Sequence, residues 1–469
     1  MPYKDLRQYI TVLENRGKLH RVTKTVDKDW EIAAVCRHLF ETVPGAQRPA
    51  LLFESVAGFA IPVLVNAIGG SREIYALGLD VRVEDINHRW DQGLRHPLAP
   101  SYVDYGPCKE NILAGDDADL TRLPVPVWVA AHDPGPYITA PYVCTKDPDT
   151  GRANLGTCRM QVKGPRRAGV CPADSQSIGL LNRNAARGVP TPCAVVIGAD
   201  PVVGMVSAAT PSYGMDAYML AGGLRGQPLE LTACQTVDIA VPATAEIVIE
   251  GHIPTDREAE GPFGETTGYM SPAGNCPYID ITCITYRNNP IYQAFFSQMP
   301  PSELSRIHQI GRERMLFYHL RTLGLPVRDV HFPESGASAG IIVISIGRLQ
   351  YPGQARQIMN AAWGLGQGLG KFTIVVDDDI DIRDSFAVEW AVSFRSQPER
   401  DDWIVGNLPA RGPDPSRAPS GGLQQDPYGG MSSIFAIDAT RKHPYPPMAL
   451  PPGAHLDEVD KNWQKYGFN

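Results

Sequence analysis

No run of apolar residues approaches the roughly 18 needed to cross a bilayer, and the first eight residues, Met1 to Gln8, form no apolar signal core. A soluble, cytoplasmic protein is therefore expected. Neither sign of charge dominates: 43 Lys and Arg stand against 51 Asp and Glu, for a net charge of −8. That mild acidity argues against a nucleic-acid partner and against an anionic membrane surface. Nine scattered cysteines include no Cys-x-x-Cys pair, so the pattern is neither a disulfide framework nor a zinc ribbon, and buried reduced thiols are expected. Walker A, G-x-S-x-G, His-Glu-x-x-His and complete G-x-G-x-x-G motifs are all missing, which removes the common P-loop, serine-hydrolase, zinc-protease and dinucleotide signatures.

Glycine and proline are in excess. The 45 Gly and 42 Pro make up nearly one residue in five of the 469, against an average near 12%. Both residues interrupt helices, so a helix bundle is excluded and a strand-and-loop-rich chain is expected. The length exceeds one ordinary core and suggests two or three domains.

Hydrophobic periodicity divides the chain into three parts. Leu6, Tyr9, Ile10 and Leu13 predict one helix and Trp30–Phe40 a second, with strands at Ala50–Phe53 and Ile61–Asn66. These form a small α/β unit, 1–115. Residues 116–299 are β-rich, with strands at Ala194–Ile197, Ala245–Glu250 and Tyr278–Tyr286, and one helix at Tyr218–Leu224 entered from the Pro211–Gly214 turn. Short strands at this spacing predict a barrel or sandwich. In 300–469 helix and strand alternate: a helix holding Leu304, Ile307, Met315 and Leu316, a strand Ile341–Ile346, a helix Gln354–Trp363 and a strand Phe372–Val376. Such alternation predicts a third, α/β domain. A Gly/Pro/Ser-rich loop, Asn407–Gly430, precedes a Pro-rich tail that turns helical around Leu456–Tyr466.

Two segments carry polar groups in unusual settings. One is Asn154-Leu-Gly-Thr-Cys-Arg159, where Asn154 and Arg159 would face opposite ways along a strand unless a bulge or turn intervenes. The other places Glu260 and Glu265 on either side of Gly-Pro-Phe-Gly, a tight connection that no helix tolerates. That link can bring both carboxylates to one site, and near an arginine their proton affinities can be drawn apart so that one donates a proton. On spacing alone, a surface turn with solvated glutamates is the simpler reading. The Asp377–Asp379 run could bind a metal, although a solvated strand end is simpler.

These two segments, with Asp5-Leu-Arg-Gln-Tyr-Ile and the run Val241 to Gly251, resemble the UbiD family of decarboxylases, in order and over nearly the whole chain. The resemblance implies reversible, non-oxidative decarboxylation of an aromatic, heteroaromatic or α,β-unsaturated acid. It implies prenylated FMN as cofactor, held in a split β-barrel like that of flavin reductases, and a C-terminal α/β domain that assembles a homodimer or homohexamer. The implied partners are the small aromatic acid, CO2 and a flavin prenyltransferase that supplies the cofactor. By position, Arg159, Glu260 and Glu265 match the family's catalytic set, with Glu265 as proton donor, Arg159 holding a carboxylate and Glu260 tuning both. Asn154, Thr157, Cys158, Arg159, Gln176, Ser207, Ala208 and Glu265 fall around the flavin. Ser207 also reads as a strand-end serine, and Cys158, with nothing near it to activate the thiol, as packing.

At the metal the sequence departs from the family pattern. Asn154 matches, but no His stands near Asp174–Ser177, where Gln176 or Ser177 takes its place, and Asp216 and Ala217 stand where a Glu is usual. The family's phosphate-contacting Lys is replaced near Ser433–Ile434. Amide, hydroxyl and carboxylate oxygens suit Mg²⁺ or Mn²⁺, so Asn154, Asp216 and Gln176 form the expected metal set, with K⁺ a further candidate. Pro427 and Tyr428 lie near where the family lines its substrate, or in a surface loop; His308 and His319 read as structural. Two other functions stay open: a carboxylase running in reverse, and a flavin-binding protein that has lost the reaction.

Overall fold

The computed structural model describes residues 3–172, 175–209, 211, 215–337, 340–365, 369–409, 414–416 and 431–468. Asp174, residues 212–214 of the expected turn, and Pro427 and Tyr428 of the long loop lie outside them. Among the described residues no helix is long and apolar enough to cross a membrane.

The N-terminal helices run Leu6–Asn15 and Glu31–Thr42. Asp5 caps the first by accepting from the Gln8 amide at 2.9 Å, and its apolar stripe, Leu6, Tyr9, Ile10 and Leu13, is buried, as the i, i+3, i+4, i+7 spacing requires. Beside them a sheet runs in the order 19–22, 50–53, 63–65 and 292–293. Its last strand returns from the far side of the central region, so the first two parts share a sheet.

The central sheet is a curled half-barrel whose strands run in the order 137–138, 160–164, 167–169, 278–286, 247–253, 191–197, 142–146 and 153–157, with 111–114 also on 278–286. Both faces are buried. Val195, Ile197, Ile247 and Ile249 point into one core while Ala194, Val196 and Val248 point into another, the two-residue alternation of a strand covered on each side.

Among the described residues three α-helices interrupt this region, not the expected one: Ser175–Ala186, Pro201–Ala209 and Ala217–Arg225. Every residue of Pro201–Ala209 is buried, so it shows no polar stripe to mark its period, and packing overrides the weak helix propensity of its Val and Gly. Ser207 thus stands on a helix and not at a strand end.

The C-terminal sheet runs 327–331, 341–346, 372–377, 431–439 and 402–409, the middle three parallel and both edges antiparallel. Helix Ser385–Arg395 was not foreseen. Its Arg395 binds the buried Asp377 at 3.0 Å and Asp379 at 2.8 Å, while Asp378 and Asp379 stay exposed past the end of the strand, so the run is a partly solvated strand end tied down by an ion pair.

Helix Glu303–Thr322 joins this domain to the rest. Ser302 and Ser305 form a reciprocal cap at its start. Gly311 approaches Ala209 so closely that a Cβ there would sit 2.7 Å from the alanine methyl. The fully buried Glu303 carboxylate accepts from four backbone amides: Asn66 (2.8 Å), Ile68 (3.0 Å), Gly69 (3.3 Å) and Phe296 (3.4 Å).

Candidate active site

The strand Ala153–Thr157 ends at Thr157, and the chain breaks register at Cys158 and Arg159 before strand Met160–Gly164 begins on another part of the sheet. This break is an interruption of the kind that the Asn154–Arg159 spacing left open. It releases the Arg159 side chain toward the segment 258–265.

That segment builds two short hairpins. Glu258–Glu260 pairs with Gly274–Cys276, and Phe263–Gly264 with Met270–Ser271. Between them Gly261 has φ +90°, a conformation that glycine adopts at little cost. A tight turn follows, in which the Gly268 amide donates to the Glu265 carbonyl at 3.0 Å and the Glu265 amide to the Tyr269 carbonyl at 2.9 Å. The two hairpins deliver Glu260 and Glu265 to one guanidinium.

Arg159 binds Glu260 through Nε and Nη2, both at 2.8 Å, and Glu265 through Nη1. The two-pronged match of guanidinium and carboxylate fixes direction as well as charge. Exposure separates the two acids: the Glu260 side chain is 1% exposed and that of Glu265 14%. Glu260 therefore anchors Arg159 from within, and Glu265 faces the open side.

Aromatic rings floor the site. Phe263 lies 5.1 Å beneath the Arg159 guanidinium and 4.6 Å from Tyr137. The Tyr137 hydroxyl donates to the Pro262 carbonyl at 3.1 Å. Burial, reinforced by the Glu260 charge, pushes this phenol far above its ordinary range, so it stays a neutral donor. Gly169 backs Glu260, where a Cβ would stand 3.1 Å from the glutamate Cγ.

Beside this group a narrow cleft of about 20 Å³ opens between the sheet and helix Ser175–Ala186, lined by Thr145, Gly156, Cys158, Val170, Ser177 and Leu181 among others. At its far end the Asn154 amide donates to the hydroxyls of Thr145 (3.2 Å) and Ser177 (3.1 Å). Ser177, not Gln176, meets Asn154 there. Asp216 caps helix Ala217–Arg225, with Oδ1 accepting from the Tyr218 and Met219 amides at 2.9 and 3.2 Å, and its Oδ2 lies 3.4 Å from the Ala153 amide. Thr157 and Ser207 join hydroxyls at 2.6 Å, tying the strand to the buried helix Pro201–Ala209.

The structure thus brings together Arg159, Glu260 and Glu265 at one end and Asn154 and Ser177 at the other, while Asp216 reaches the same strand at the Ala153 amide. Phe263, Tyr137 and Thr145 were not foreseen as site residues. Phe263 lay inside the Gly-Pro-Phe-Gly link and could have been marked; Tyr137 and Thr145 carry no sequence signal, since only sheet pairing places them here.

A curled antiparallel sheet presenting a Glu–Arg–Glu group beside a narrow cleft, between two α/β regions, defines a class of enzyme scaffold. Its three regions match the N-terminal, Rift-related and C-terminal domains of 3-octaprenyl-4-hydroxybenzoate carboxy-lyase over residues 10–92, 101–300 and 307–439. The chain belongs to the UbiD family. An uncharacterised protein of Archaeoglobus fulgidus is 35% identical over 468 residues, 94% of this chain and 92% of its own. Among solved structures, an evolved dimeric form of the UbiD-class enzyme HmfF of Pelotomaculum thermopropionicum, in complex with prFMN, is 34% identical with TM-score 0.82, covering 98% of this chain and all of that one. Vanillic acid decarboxylase of Sedimentibacter hydroxybenzoicus is 30% identical and covers both chains fully in its closed form, with TM-score 0.89; its open form gives 0.81 over 99% of this chain and all of its own. The present arrangement is closer to the closed form.

Proposed function

We propose that this protein is a decarboxylase of an aromatic or heteroaromatic carboxylic acid that uses prenylated FMN, with Glu265 as the proton donor. The observation that carries this reading is the single guanidinium shared by a buried and a half-open carboxylate. Arg159 fixes where both acids stand, Glu260 orients Arg159, and Glu265 is the more exposed of the two acids. A proton held there can reach the carbon that carbon dioxide leaves. The flavin, when bound, supplies the electron sink, and the chain supplies placement and the proton.

The residues present fit such a cofactor. Small and apolar side chains border the cleft, and polar groups gather at the Asn154 end, five residues from Arg159. The central sheet serves as the split barrel, and the units 1–115, 116–299 and 300–469 serve as N-terminal, cofactor-binding and assembly domains. Co-production with a flavin prenyltransferase tests the function: the purified protein carries the modified flavin by absorbance and mass, and releases carbon dioxide from members of an aromatic-acid panel. Protein that emerges without flavin under those conditions overturns the reading. Direction is tested by isotope exchange from labelled bicarbonate.

For the metal, the oxygens of Asn154, Asp216 and either Gln176 or Ser177 suit a hard divalent cation in kind. Asp216→Asn keeps an acceptor that caps the helix while removing the charge. Metal content measured on flavin-loaded protein is expected to fall in this variant with little change in melting temperature; undiminished Mn²⁺ or Mg²⁺ removes Asp216 from the ligand set.

Assembly as a homodimer or homohexamer is favoured by the tail. Leu450, Leu456, Trp463, Tyr466 and Phe468 are all 44–65% exposed, an apolar array that invites a second copy. Deleting residues 448–469 is expected to lower the mass measured by light scattering, and an unchanged mass excludes this segment from the interface.

A further inference from the structure

Two thiols lie against Glu260. Cys171 follows strand Arg167–Gly169 and Cys276 ends strand Gly274–Cys276, and the Val170 amide donates to the Pro277 carbonyl at 2.8 Å between them. Their sulfurs are 3.0 Å apart, and the Cys276 sulfur is 3.8 Å from Glu260 Oε2. Both cysteines are buried. Cys36 and Cys283, by contrast, are buried without a second cysteine among their electrostatic neighbours.

We propose that Cys171 and Cys276 form a reversible disulfide, a covalent modification site set directly against the buried carboxylate of the Glu–Arg–Glu group. The sulfurs need to close from 3.0 Å to about 2.05 Å, a displacement within the reach of side-chain rotation. The oxidant is a hydroperoxide. One sulfur attacks the peroxide oxygen, the O–O bond breaks, and with hydrogen peroxide a sulfenic acid and one water result. The second thiol then displaces the sulfenic oxygen as a second water and the S–S bond forms, so two electrons pass from the sulfurs to the peroxide. A dithiol reductant reverses the step by exchange.

The hydrogen bond to Cys171, and then burial, push the Cys276 thiol far above its ordinary range, so Cys276 rests as the protonated thiol. A metal ion fits the same three residues less well. A tetrahedral zinc with bonds of about 2.3 Å spreads two sulfurs to roughly 3.7 Å, wider than found here. Both Glu260 oxygens are also committed to Arg159, whose positive charge opposes a cation.

Oxidation removes the thiol hydrogen facing Glu260 and draws Cys276 away from it, which loosens the acid that anchors Arg159. That consequence rests on the decarboxylase reading; the bond itself does not. The test therefore begins on flavin-free wild-type protein, reduced and then exposed to a small excess of hydrogen peroxide. Peptide mapping without reductant is expected to join the peptides of Cys171 and Cys276, with loss of two hydrogens in intact mass, and dithiothreitol is expected to reverse both. The link disappears in Cys171→Ala and Cys276→Ala; if neither variant folds, the wild-type map decides alone. Flavin-loaded wild type should lose most of its activity to peroxide and regain it with reductant, whereas Cys171→Ala, compared with its own untreated sample, should lose much less. The proposal is overturned if the two thiols go to sulfinic acids without a link, if peroxide joins a different pair, or if the purified protein holds stoichiometric zinc that either variant loses.

Discussion

Glu265→Gln, loaded with flavin, is expected to release carbon dioxide about 10³-fold more slowly than wild type, within the range that a positioned proton donor contributes, while its bound chromophore keeps the wild-type spectrum. Gln matches the shape of Glu and still offers an oxygen to Arg159 Nη1, the group that Glu265 binds in the native site. What it lacks is a transferable proton. Single-turnover decarboxylation with absorbance of the bound flavin separates the two roles. A variant that turns over at the wild-type rate removes Glu265 as donor, and one that loses both flavin and activity shows that Glu265 builds the site instead. Glu260→Gln should behave differently, because Glu260 holds Arg159 with two bonds at 2.8 Å from a position 1% exposed. Its loss disturbs placement, so the flavin spectrum changes along with the rate.

Glu303→Ala is expected to destabilise the protein by about 3–5 kcal/mol, measured by denaturant unfolding, since each buried amide left without its acceptor costs roughly 1–3 kcal/mol and the two shortest of its four bonds, at 2.8 and 3.0 Å, carry most of the loss. A change under 1 kcal/mol removes Glu303 as the clasp between regions. The same carboxyl sets a pH dependence. Burial pushes it from 4.5 up to about 7 against the downward pull of the amides. The folded state thus holds this proton more tightly than the unfolded chain does. The resulting stability, about 3 kcal/mol, is complete below about pH 4.5 and is lost as pH rises through 7. Glu303→Gln cannot titrate, so its stability should vary less between pH 5 and 7 than that of wild type. An identical slope in both proteins assigns the titration elsewhere.

Elements with one polar and one apolar side were legible in the chain. Leu6–Asn15 and Glu31–Thr42 face solvent along one stripe, and the period of their apolar residues located them within two residues. Pro201–Ala209 was invisible for the opposite reason: with every residue buried it has no stripe, and its Val-rich sequence reads as strand. Ser207 was misplaced with it. The ion pair of Asp377 and Asp379 was not foreseen because their partner, Arg395, stands on a helix 16 residues beyond Asp379, and nothing in the local sequence shows that they will meet.

At the site the division is the same. The sequence by itself determined the residue types, the glycine-bearing link that lets Glu260 and Glu265 turn toward one point and, through ordered motifs along the whole chain, membership of the family. Only the tertiary structure decided that one guanidinium holds both acids, which acid is sealed and which is open, that Ser177 and not Gln176 meets Asn154, and that Cys171 and Cys276 stand sulfur to sulfur behind Glu260. The reason is physical. Backbone conformation and periodicity are local and leave their marks on neighbouring residues. Burial and pairing between residues about a hundred positions apart arise only when the strands that carry them close into one sheet.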